Sequence, residues 1–347
     1  MKKIAIIGHF GGKKEFLDGQ TIKTKILYNE LKNATDWKIQ KIDTYLKQKN
    51  PICLFLTTLY ALLLRKDVIV LLSGNGMKSF FPMLSFFARH WKVRIYHDVI
   101  GGKLDNYVKA YKKFGKYLLS FKVNWVETKE LEKDLLNVGI SNCETIPNFK
   151  RLNVVDNDEL LVKYEKPFAF CMFSRVMREK GVEIAIDAIE KINKDANETV
   201  CTLDIYGAVD ERYLDAFNKV LNSASEAIRY CGVVPYSESV DTIKGYYGLA
   251  FPTFWDGEGF PGTIIDAYSA GVPVIASDWN SNAEIVKNLK TGILYPNESD
   301  KTFLDAIKHY ISMSSDEIYK LKLNCVEAAA DYQPDKHIKK IIETMTQ

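Results

Sequence analysis

The sequence lacks the patterns that mark metal centres and disulfide-rich folds. Its six cysteines are scattered without a C-x-x-C pair, and its five histidines show no H-x-x-x-H or similar ligand spacing. Cysteines scattered through apolar surroundings favour free thiols in a reducing cytoplasm over disulfides or a zinc site. We therefore expect no protein-bound metal and a cytoplasmic location.

The sequence also lacks an apolar run long enough to cross a bilayer. Residues 52–64 and 80–91 are rich in apolar and aromatic side chains, but each falls short of the roughly 20 residues that a spanning helix needs. The first residues resemble a signal peptide only superficially. The apolar run ends at Gly8, and glycines and lysines follow in place of a cleavage site. We predict that residues 3–8 form a first strand.

Two nucleotide-binding fingerprints are missing from the glycine-rich segment 8–21, which follows that strand. It contains neither G-x-G-x-x-G nor G-x-x-x-x-G-K-[ST]. These absences argue against a dinucleotide cofactor and against P-loop chemistry. The segment still resembles a phosphate or sugar loop that leads into a helix.

The 347 residues suffice for two domains of ordinary size, and 47% apolar with 26% charged residues is typical of a soluble globular protein. The charge is uneven. Residues 1–150 contain 26 Lys/Arg against 13 Asp/Glu, whereas the remainder contains 21 against 31. A basic half could attract nucleic acid, anionic lipid or a phosphorylated acceptor. No nucleic-acid motif accompanies it, so we expect no nucleic-acid partner.

The apolar stretches 52–64 and 80–91 lie within this basic half and allow two interpretations. They are core helices, or they form a basic, aromatic-rich surface that rests on the cytoplasmic leaflet of a membrane.

Strand-like and helix-like segments alternate throughout the chain, which predicts α/β layers with parallel sheets. The predicted strands are 3–8, 68–73, 93–97, 125–128, 144–147, 168–173, 202–206, 228–232, 248–252, 274–277 and 292–295. We predict two Rossmann-like domains that face each other across a cleft, since ligands of open parallel sheets bind beyond the strand C-termini.

The domain boundaries follow from where periodicity is lost. We predict an N-terminal Rossmann-like domain over 1–148 and a linker over 149–166. A second Rossmann-like domain is predicted over 167–331, and 332–347 form a closing helix.

The most informative stretch runs from Glu258 to residue 277. Glu258 and Asp266 bracket a Gly/Pro turn that opens a helix, and an apolar strand follows. If the helix begins near Gly262, the amides of Gly262, Thr263 and Ile264 lack intrahelical partners and could hold an anion such as a diphosphate. Carboxylates beside a phosphate make sense if they accept hydrogen bonds from ribose and hexose hydroxyls. The stretch predicts a nucleotide-sugar site.

Two cations follow the strand 168–173. Arg175 and Lys180 occupy a turn, and Gly181 precedes the next helix. At a strand end they suit a diphosphate and would neutralise charge on a departing group. A solvated basic turn is the alternative, and the carboxylate helix downstream makes it the weaker one.

Three further strand ends are candidates. Gly207 permits close backbone approach to a ligand, and Val233 with Val234 could offer main-chain hydrogen bonds to a flat base. Plain strand–helix turns explain these positions equally well. His97 ends another strand ahead of two glycines, which favours a cleft position contacting the sugar over a structural histidine.

Together these residues resemble family 4 of the retaining GT-B glycosyltransferases. The resemblance covers nearly the whole chain and is strongest from Phe170 to Tyr295. It rests on Arg175 with Lys180, the Glu258-x7-Asp266 pair, the Ala270-Gly-Val-Pro-Val segment, the Ile146-Pro-Asn linker and the Gly19 loop. It implies that the N-terminal domain binds the acceptor and that the second domain binds the nucleotide sugar. It also implies that the closing helix crosses back onto the N-terminal domain.

The resemblance also assigns roles. Arg175 and Lys180 would bind the donor diphosphate, Glu258 the transferred sugar and Asp266 the ribose. The family usually has glutamate where Asp266 stands, and aspartate is one methylene shorter. The amides after Pro261 would hold phosphate, Gly19 and Gln20 would close over it, and His97 would lie near the reacting centre. The catalytic set implied in this way is His97, Glu258, Arg175 and Lys180.

The implied reaction transfers a hexose-type sugar with retention from a nucleotide sugar, by default a UDP-sugar, and needs neither a metal nor a cofactor. The acceptor would be a glycan or a polyprenyl-linked glycan in bacterial surface polysaccharide synthesis, on the inner face of the cell membrane. The alternatives are a GT-B nucleotide-sugar epimerase and a non-catalytic sugar-nucleotide-binding relative.

Overall fold

The computed structural model describes residues 1–14, 16, 18–161, 164–296 and 300–347. The chain forms two compact units. Unit 1 comprises Met1–Lys150 and Pro334–Gln347, and unit 2 comprises Arg151–Gln333. Residues 15 and 17 of the predicted loop and residues 162 and 163 of the predicted linker lie outside the described residues.

Unit 1 is built on one parallel six-stranded sheet with strand order β2-β1-β3-β4-β5-β6. Its strands are β1 Lys3–Gly8, β2 Lys38–Asp43, β3 Asp67–Val70, β4 Arg94–Asp98, β5 Val123–Val126 and β6 Cys143–Thr145. Side chains of β1 alternate between two apolar cores, with Ile4 and Ile6 in one and Ala5 and Ile7 in the other. A strand buried on both faces is the reason why this segment is an unbroken apolar run.

Helices cover both faces of this sheet. They are α1 Gly19–Ala34, α2 Leu46–Lys49, α3 Pro51–Leu64, α4 Gly74–His90, α5 Leu104–Ala110, α6 Lys112–Leu118, α7 Lys129–Asn137 and α15 Pro334–Thr346. Side chains of α3, α4 and α6 share a core with Ala5 and Ile7, whereas Ile338 and Ile341 of α15 share the opposite core with Ile4. The C-terminal helix is thus part of unit 1.

Unit 2 is built on a second parallel six-stranded sheet, with strand order β12-β11-β10-β7-β8-β9. Its strands are β7 Phe168–Phe173, β8 Cys201–Tyr206, β9 Ile228–Gly232, β10 Gly248–Phe251, β11 Val274–Asp278 and β12 Gly292–Pro296. Its helices are α8 Val182–Ala196, α9 Leu214–Ser223, α10 Ser239–Ile243, α11 Gly262–Ser269, α12 Asn282–Ile285, α13 Asp300–Ile311 and α14 Ser315–Ala329.

The strand order of each sheet reverses at one point. The reversal falls between β1 and β3 in unit 1 and between β7 and β10 in unit 2. Loops that leave two such strands diverge to opposite faces of the sheet, which opens a crevice at their carboxyl ends where ligands bind. In unit 2 the crevice is flanked by the two loops that carry the predicted cations and carboxylates.

The predicted α/β class with two parallel sheets is confirmed. Strand β2 was not predicted, because its Lys-Ile-Gln-Lys-Ile-Asp sequence is too polar to stand out as a buried strand. It lies at the sheet edge, and only Ile42 of its six residues is buried.

Candidate functional site

The turn after β7 places Lys180 through a glycine that no other residue could replace without strain. Residues Arg178–Lys180 form a single 3₁₀ turn, and Gly181 follows with φ +76°. A Cβ on Gly181 would lie 2.1 Å from the carbonyl oxygen of Pro252. Glycine is required here by the left-handed backbone and by the contact with the loop that follows β10.

Hydrogen bonds join that loop to the turn. The Phe254 amide donates to the Glu179 carbonyl at 2.8 Å, and the Thr253 hydroxyl oxygen lies 3.3 Å from the same carbonyl oxygen. The two loops at the strand-order reversal of unit 2 are therefore held side by side.

Lys180 and Glu258 meet in this crevice as a buried ion pair. The Thr253 hydroxyl donates to Glu258 Oε2 at 3.1 Å, and Lys180 Nζ lies 4.8 Å from the centroid of the Trp255 ring. A carboxylate and an aromatic face are both common contacts of a lysine side chain. The structure thus brings together two residues that lie 78 positions apart in the sequence.

Side chains that the sequence reading overlooked hold the loop 253–258. The Trp279 indole donates to the Trp255 carbonyl at 3.0 Å, and the Asn280 side-chain amide donates to the Glu258 carbonyl at 3.2 Å. Thr253 and Trp255 follow β10, and Trp279 and Asn280 follow β11. Their positions at strand C-termini were the signal that could have identified them.

Helix α11 begins at Gly262 as predicted, with Pro261 as N-cap and no side-chain cap. The expectation that the Ile264 amide lacks an intrahelical partner is wrong, because it donates to the Pro261 carbonyl at 3.1 Å in a tightened first turn. The Thr263 hydroxyl is buried and has no hydrogen-bond partner among the described residues. A buried polar atom of this kind calls for a ligand or a water.

Asp266 is buried on α11, four residues beyond Gly262. Four residues of an α-helix rise about 6 Å, so its carboxylate lies roughly one turn beyond the start of the helix. The spacing from Glu258 thus places one carboxylate on the loop and one on the helix, as predicted. The contact with ribose stays a prediction.

Arg175 is placed differently from Lys180. Its side chain is 51% exposed, and Nη1 lies 4.0 Å from Asp210 Oδ2. Hydrogen bonds from Arg212, with a smaller contribution from the charge of Arg175, lower the pKa of Asp210 to about 2. Arg175 is therefore an accessible cation beside an ionised carboxylate, and its contact with diphosphate stays a prediction.

The strand ends of β8 and β9 are explained in part by packing. Gly207 has φ +135°, and a Cβ there would lie 1.8 Å from the Ser174 carbonyl oxygen, so this glycine is required by its own chain. Val233 is exposed and Val234 is half-buried. Contact of these two residues with a base stays a prediction.

In unit 1 the glycine loop lies beside the strand-order reversal of the sheet. The Gln20 side chain donates to the Leu71 carbonyl at 3.2 Å, and Asp18 caps α1 by accepting from the Thr21 amide at 3.0 Å. A Cβ on Gly19 would have no neighbour within 4 Å. The described residues therefore impose no steric need for glycine there, whereas a ligand that approaches the backbone would.

His97 lies at the end of β4 and is fully buried. Its side chain is 0% exposed and packs against the rings of Phe81 and Phe121, and its contact with a sugar stays a prediction. Strand alternation directs it, like Ile95, into the apolar core beneath α4. Its Nδ1 lies 3.0 Å from Asn124 Oδ1.

Burial, with a further contribution from the charge of Lys23, lowers the pKa of His97 to about 4, so the imidazole is neutral. Its Nε2 has no hydrogen-bond partner among the described residues. A catalytic role for His97 remains a prediction that depends on this one atom.

A buried charge cluster in unit 1 was not predicted. Lys23 of α1 lies 2.7 Å from Asp98 Oδ1 and 2.9 Å from Glu127 Oε1, and it donates to the Val99 carbonyl at 2.8 Å. Burial alone would lower the pKa of Lys23, but the two carboxylates outweigh it and raise that pKa. Its partners lie at the carboxyl ends of β4 and β5, a long-range arrangement that no local pattern predicts.

Residues 167–313 match the family model described as "Glycosyl transferases group 1". The matched segment lies within unit 2. The Lys180–Glu258 pair and the start of α11 both lie inside the matched segment. Within the described residues, no cluster of three or more His, Cys, Asp or Glu side chains could hold a metal ion.

Relatives are similar over parts of the chain. "Uncharacterized glycosyltransferase MJ1069" of Methanocaldococcus jannaschii is 24% identical over 214 residues, which are 60% of this chain and 51% of that protein. The chain therefore spans about half the length of this curated relative.

Solved structures are similar over the whole chain. Anabaena Alr3699/HepE, solved in complex with UDP and glucose, has a TM-score of 0.72 at 12% identity, and each chain is covered completely. Sucrose-phosphate synthase from Thermosynechococcus elongatus has a TM-score of 0.76 at 16% identity, covering 100% of this chain and 99% of that one. The fold is of the GT-B type.

Proposed function

We propose that the protein transfers a hexose-type sugar, with retention, from a nucleoside diphosphate sugar to a glycan or polyprenyl-linked acceptor. A UDP-sugar is the favoured donor, and bacterial surface polysaccharide synthesis is the proposed process. The observation that carries the proposal is the buried Lys180–Glu258 pair at the strand-order reversal of unit 2, beside the start of α11. The match to glycosyl transferases group 1 and the UDP held by Alr3699/HepE support it.

The proposed donor contacts follow from the hydrogen-bonding capacity of each group. The Lys180 ammonium has three hydrogens, and Glu258 accepts one of them, which leaves two for oxygens of the diphosphate. The amides at Gly262 and Thr263 and the Thr263 hydroxyl would bind the same diphosphate at the positive end of the α11 dipole. Arg175, being more exposed, would reach its outer oxygens.

Carboxylates would hold the two sugars. Glu258, fixed by Lys180 and by the Thr253 hydroxyl, is proposed to accept hydrogen bonds from the transferred hexose. Asp266 is proposed to accept from the ribose, and the main chain of Val233 and Val234 to contact the base. In unit 1, Gly19 and Gln20 are proposed to approach the phosphate, and His97 Nε2 to approach the transferred sugar.

The proposed chemistry uses no protein nucleophile. The acceptor oxygen forms its bond to the anomeric carbon on the face from which the diphosphate departs, and the acceptor proton passes to the leaving phosphate oxygen. Lys180, Arg175 and the α11 amides would stabilise the negative charge that grows on the diphosphate. Neither a metal nor a cofactor is proposed.

The proposed location is the cytoplasm, with peripheral attachment to the inner face of the cell membrane. No helix among the described residues is long and apolar enough to span a bilayer. A polyprenyl-linked acceptor would itself be confined to the membrane surface.

A panel of nucleotide sugars tests the proposal. We expect one donor, with UDP favoured, to release nucleoside diphosphate in the presence of a suitable acceptor. The variant Lys180→Met should reduce this release and weaken nucleoside diphosphate binding by about 1.5–3 kcal/mol, the range for a charged hydrogen bond. The matched control is Lys191→Met, which removes an exposed lysine paired with Asp195 on the neighbouring helix α8.

Other outcomes contradict the proposal in distinct ways. Conversion of the donor sugar without an acceptor would indicate an epimerase. Binding of nucleotide sugar without turnover would indicate a non-catalytic relative. Unchanged nucleotide binding in Lys180→Met would show that the crevice of unit 2 is not the nucleotide-binding site.

A further inference from the structure

The outer face of α3 is apolar and uncovered. Six of its large side chains are between 52% and 70% exposed: Ile52, Phe55, Leu56, Tyr60, Leu63 and Leu64. The exposed Cys53 belongs to the same side. Helix α3 contains no charged residue. A surface helix normally carries polar side chains on its outer face, and a contiguous apolar patch marks an interaction surface.

The geometry of α3 separates its two sides. Its buried residues are Leu54, Thr58, Ala61 and Leu62, which recur at spacings of three and four and therefore lie on one side of the helix. At 100° per residue, the exposed residues occupy roughly the other half of the circumference. The buried side of α3 therefore makes the contacts with the core, and the apolar residues on the opposite side do not contact the sheet.

Further exposed aromatic and apolar residues belong to the same helical layer. Phe86 and Trp91 lie at the end of α4, and Leu119 lies at the end of α6. Since α3, α4 and α6 share one core on one face of the sheet, these exposed side chains all belong to the layer on that face.

The segment that carries α3, α4 and α6 has accessible charge of one sign. Residues 44–122 contain 14 Lys/Arg and only three carboxylates, namely Asp67, Asp98 and Asp105. All three carboxylates are buried, and each forms an ion pair within unit 1. The accessible surface of these 79 residues therefore presents basic groups and no carboxylate. Lysines flank α3 on both sides, with Lys47 and Lys49 before it and Lys66 after it.

We propose that α3 docks unit 1 on the surface of an anionic lipid bilayer. The exposed apolar side chains would enter the boundary between headgroups and acyl chains, and the flanking lysines would extend to lipid phosphates. A nucleic acid would use the lysines but not the leucines. A protein partner would need an apolar centre surrounded by an acidic rim. An anionic bilayer has an apolar interior and acidic headgroups together. The inference refines the proposed peripheral location and is independent of donor chemistry.

Flotation with lipid vesicles tests the inference on the full chain. We expect binding to vesicles of phosphatidylcholine with phosphatidylglycerol, weaker binding at high salt, and little binding to phosphatidylcholine alone. The triple variant Phe55→Ser, Leu56→Ser, Leu63→Ser should lower the apparent affinity at least about tenfold, since three apolar side chains no longer leave water. The matched control is Leu136→Ser, Leu161→Ser, Leu214→Ser, three exposed leucines outside α3.

A fluorescent label tests the orientation. Cys53 lies on the exposed side of α3, and Cys231 is an exposed cysteine of unit 2. An environment-sensitive dye on Cys53 in the Cys231→Ser variant should shift to the blue when anionic vesicles are added. The same dye on Cys231 in the Cys53→Ser variant should not.

Three outcomes would overturn the inference. They are no flotation of the wild type at low salt, flotation of the triple variant as strong as the wild type, or a wild-type dimer that the triple variant converts to a monomer without lipid binding. In the last case the face joins two copies of the chain. Nucleoside diphosphate binding of the triple variant, measured by calorimetry, shows whether it is folded and separates failure here from failure of the proposed transfer reaction.

Discussion

The two units share an architecture and differ in surface charge. Each has a six-stranded parallel sheet with one reversal of strand order. Unit 1 contains 29 Lys/Arg against 15 Asp/Glu, whereas unit 2 contains 18 against 29. The comparison teaches that sheet topology fixes where a crevice forms, while the side chains decide which ligand or surface each unit can meet.

Buried charge is also used differently. Unit 2 has a lysine and a glutamate at its strand-order reversal, both beside a helix start that suits an anion. Unit 1 has Lys23 between Asp98 and Glu127, where every charge is already satisfied within the protein. The first arrangement leaves hydrogens for a ligand, and the second ties α1 to the ends of two strands.

The largest expected effect comes from removing the lysine of the unit 1 cluster. Lys23→Met leaves Asp98 and Glu127 buried without their cation, and we expect a loss of about 3–5 kcal/mol in the free energy of unfolding. Urea denaturation measures it. Lys32→Met, an exposed position on the same helix, is the control and should change stability by less than about 0.5 kcal/mol. Equal losses in both variants would contradict a structural role for the cluster.

The next effect concerns pH and His97. The pKa of His97 is lowered to about 4 from its usual 6.5, so the unfolded chain takes up the proton first as the pH falls. Stability from this group is complete above about pH 6.5 and is lost progressively down to about pH 4, by about 3 kcal/mol in total. Subtracting the unfolding free energies of His97→Gln from those of the wild type across this range isolates the effect. A difference that does not change with pH would show that His97 titrates normally.

A smaller effect should come from the accessible cation of unit 2. Arg175→Ala is expected to weaken UDP binding by about 1.5–3 kcal/mol while leaving stability unchanged, because the side chain is half exposed. Arg212→Ala is the matched control, since Arg212 pairs with the same Asp210 and is more exposed. If calorimetry gives the two variants the same affinity as the wild type, Arg175 is not part of the donor site.

A small change in stability is expected at Gly19. Its surroundings are open, so Gly19→Ala should alter the free energy of unfolding by less than about 1 kcal/mol. Weaker binding of a nucleotide sugar in this variant would place a ligand beside the unit 1 loop. Unchanged binding would limit the donor contacts to unit 2.

The sequence predicted the elements and contacts that follow from local patterns. Alternating strands and helices gave both sheets, and the Gly/Pro turn before Thr263 gave the start of α11. Lys180 and Glu258 were expected in one site because each follows a strand that ends at the same sheet edge. Their direct pairing could not be predicted, since it depends on how two loops 78 residues apart settle on each other.

Burial was the least predictable property. His97 has the sequence pattern of a ligand-binding residue at a strand end, but the alternation of side chains along β4 directs it into the core. Helix α3 is apolar around its whole circumference, so no periodicity could indicate which side the sheet covers. Only the packed fold shows that half of its apolar residues face outward.

The close packing of Gly181 against Pro252 has a consequence for how unit 2 would respond to a ligand. Because the lysine turn and the glutamate loop are joined by backbone contact and by the Phe254 amide, neither can shift without the other. A donor would then bind to a preorganised site in unit 2, and these two loops would undergo little ordering on binding. The Phe254 amide should accordingly exchange its hydrogen slowly even before any nucleotide is added.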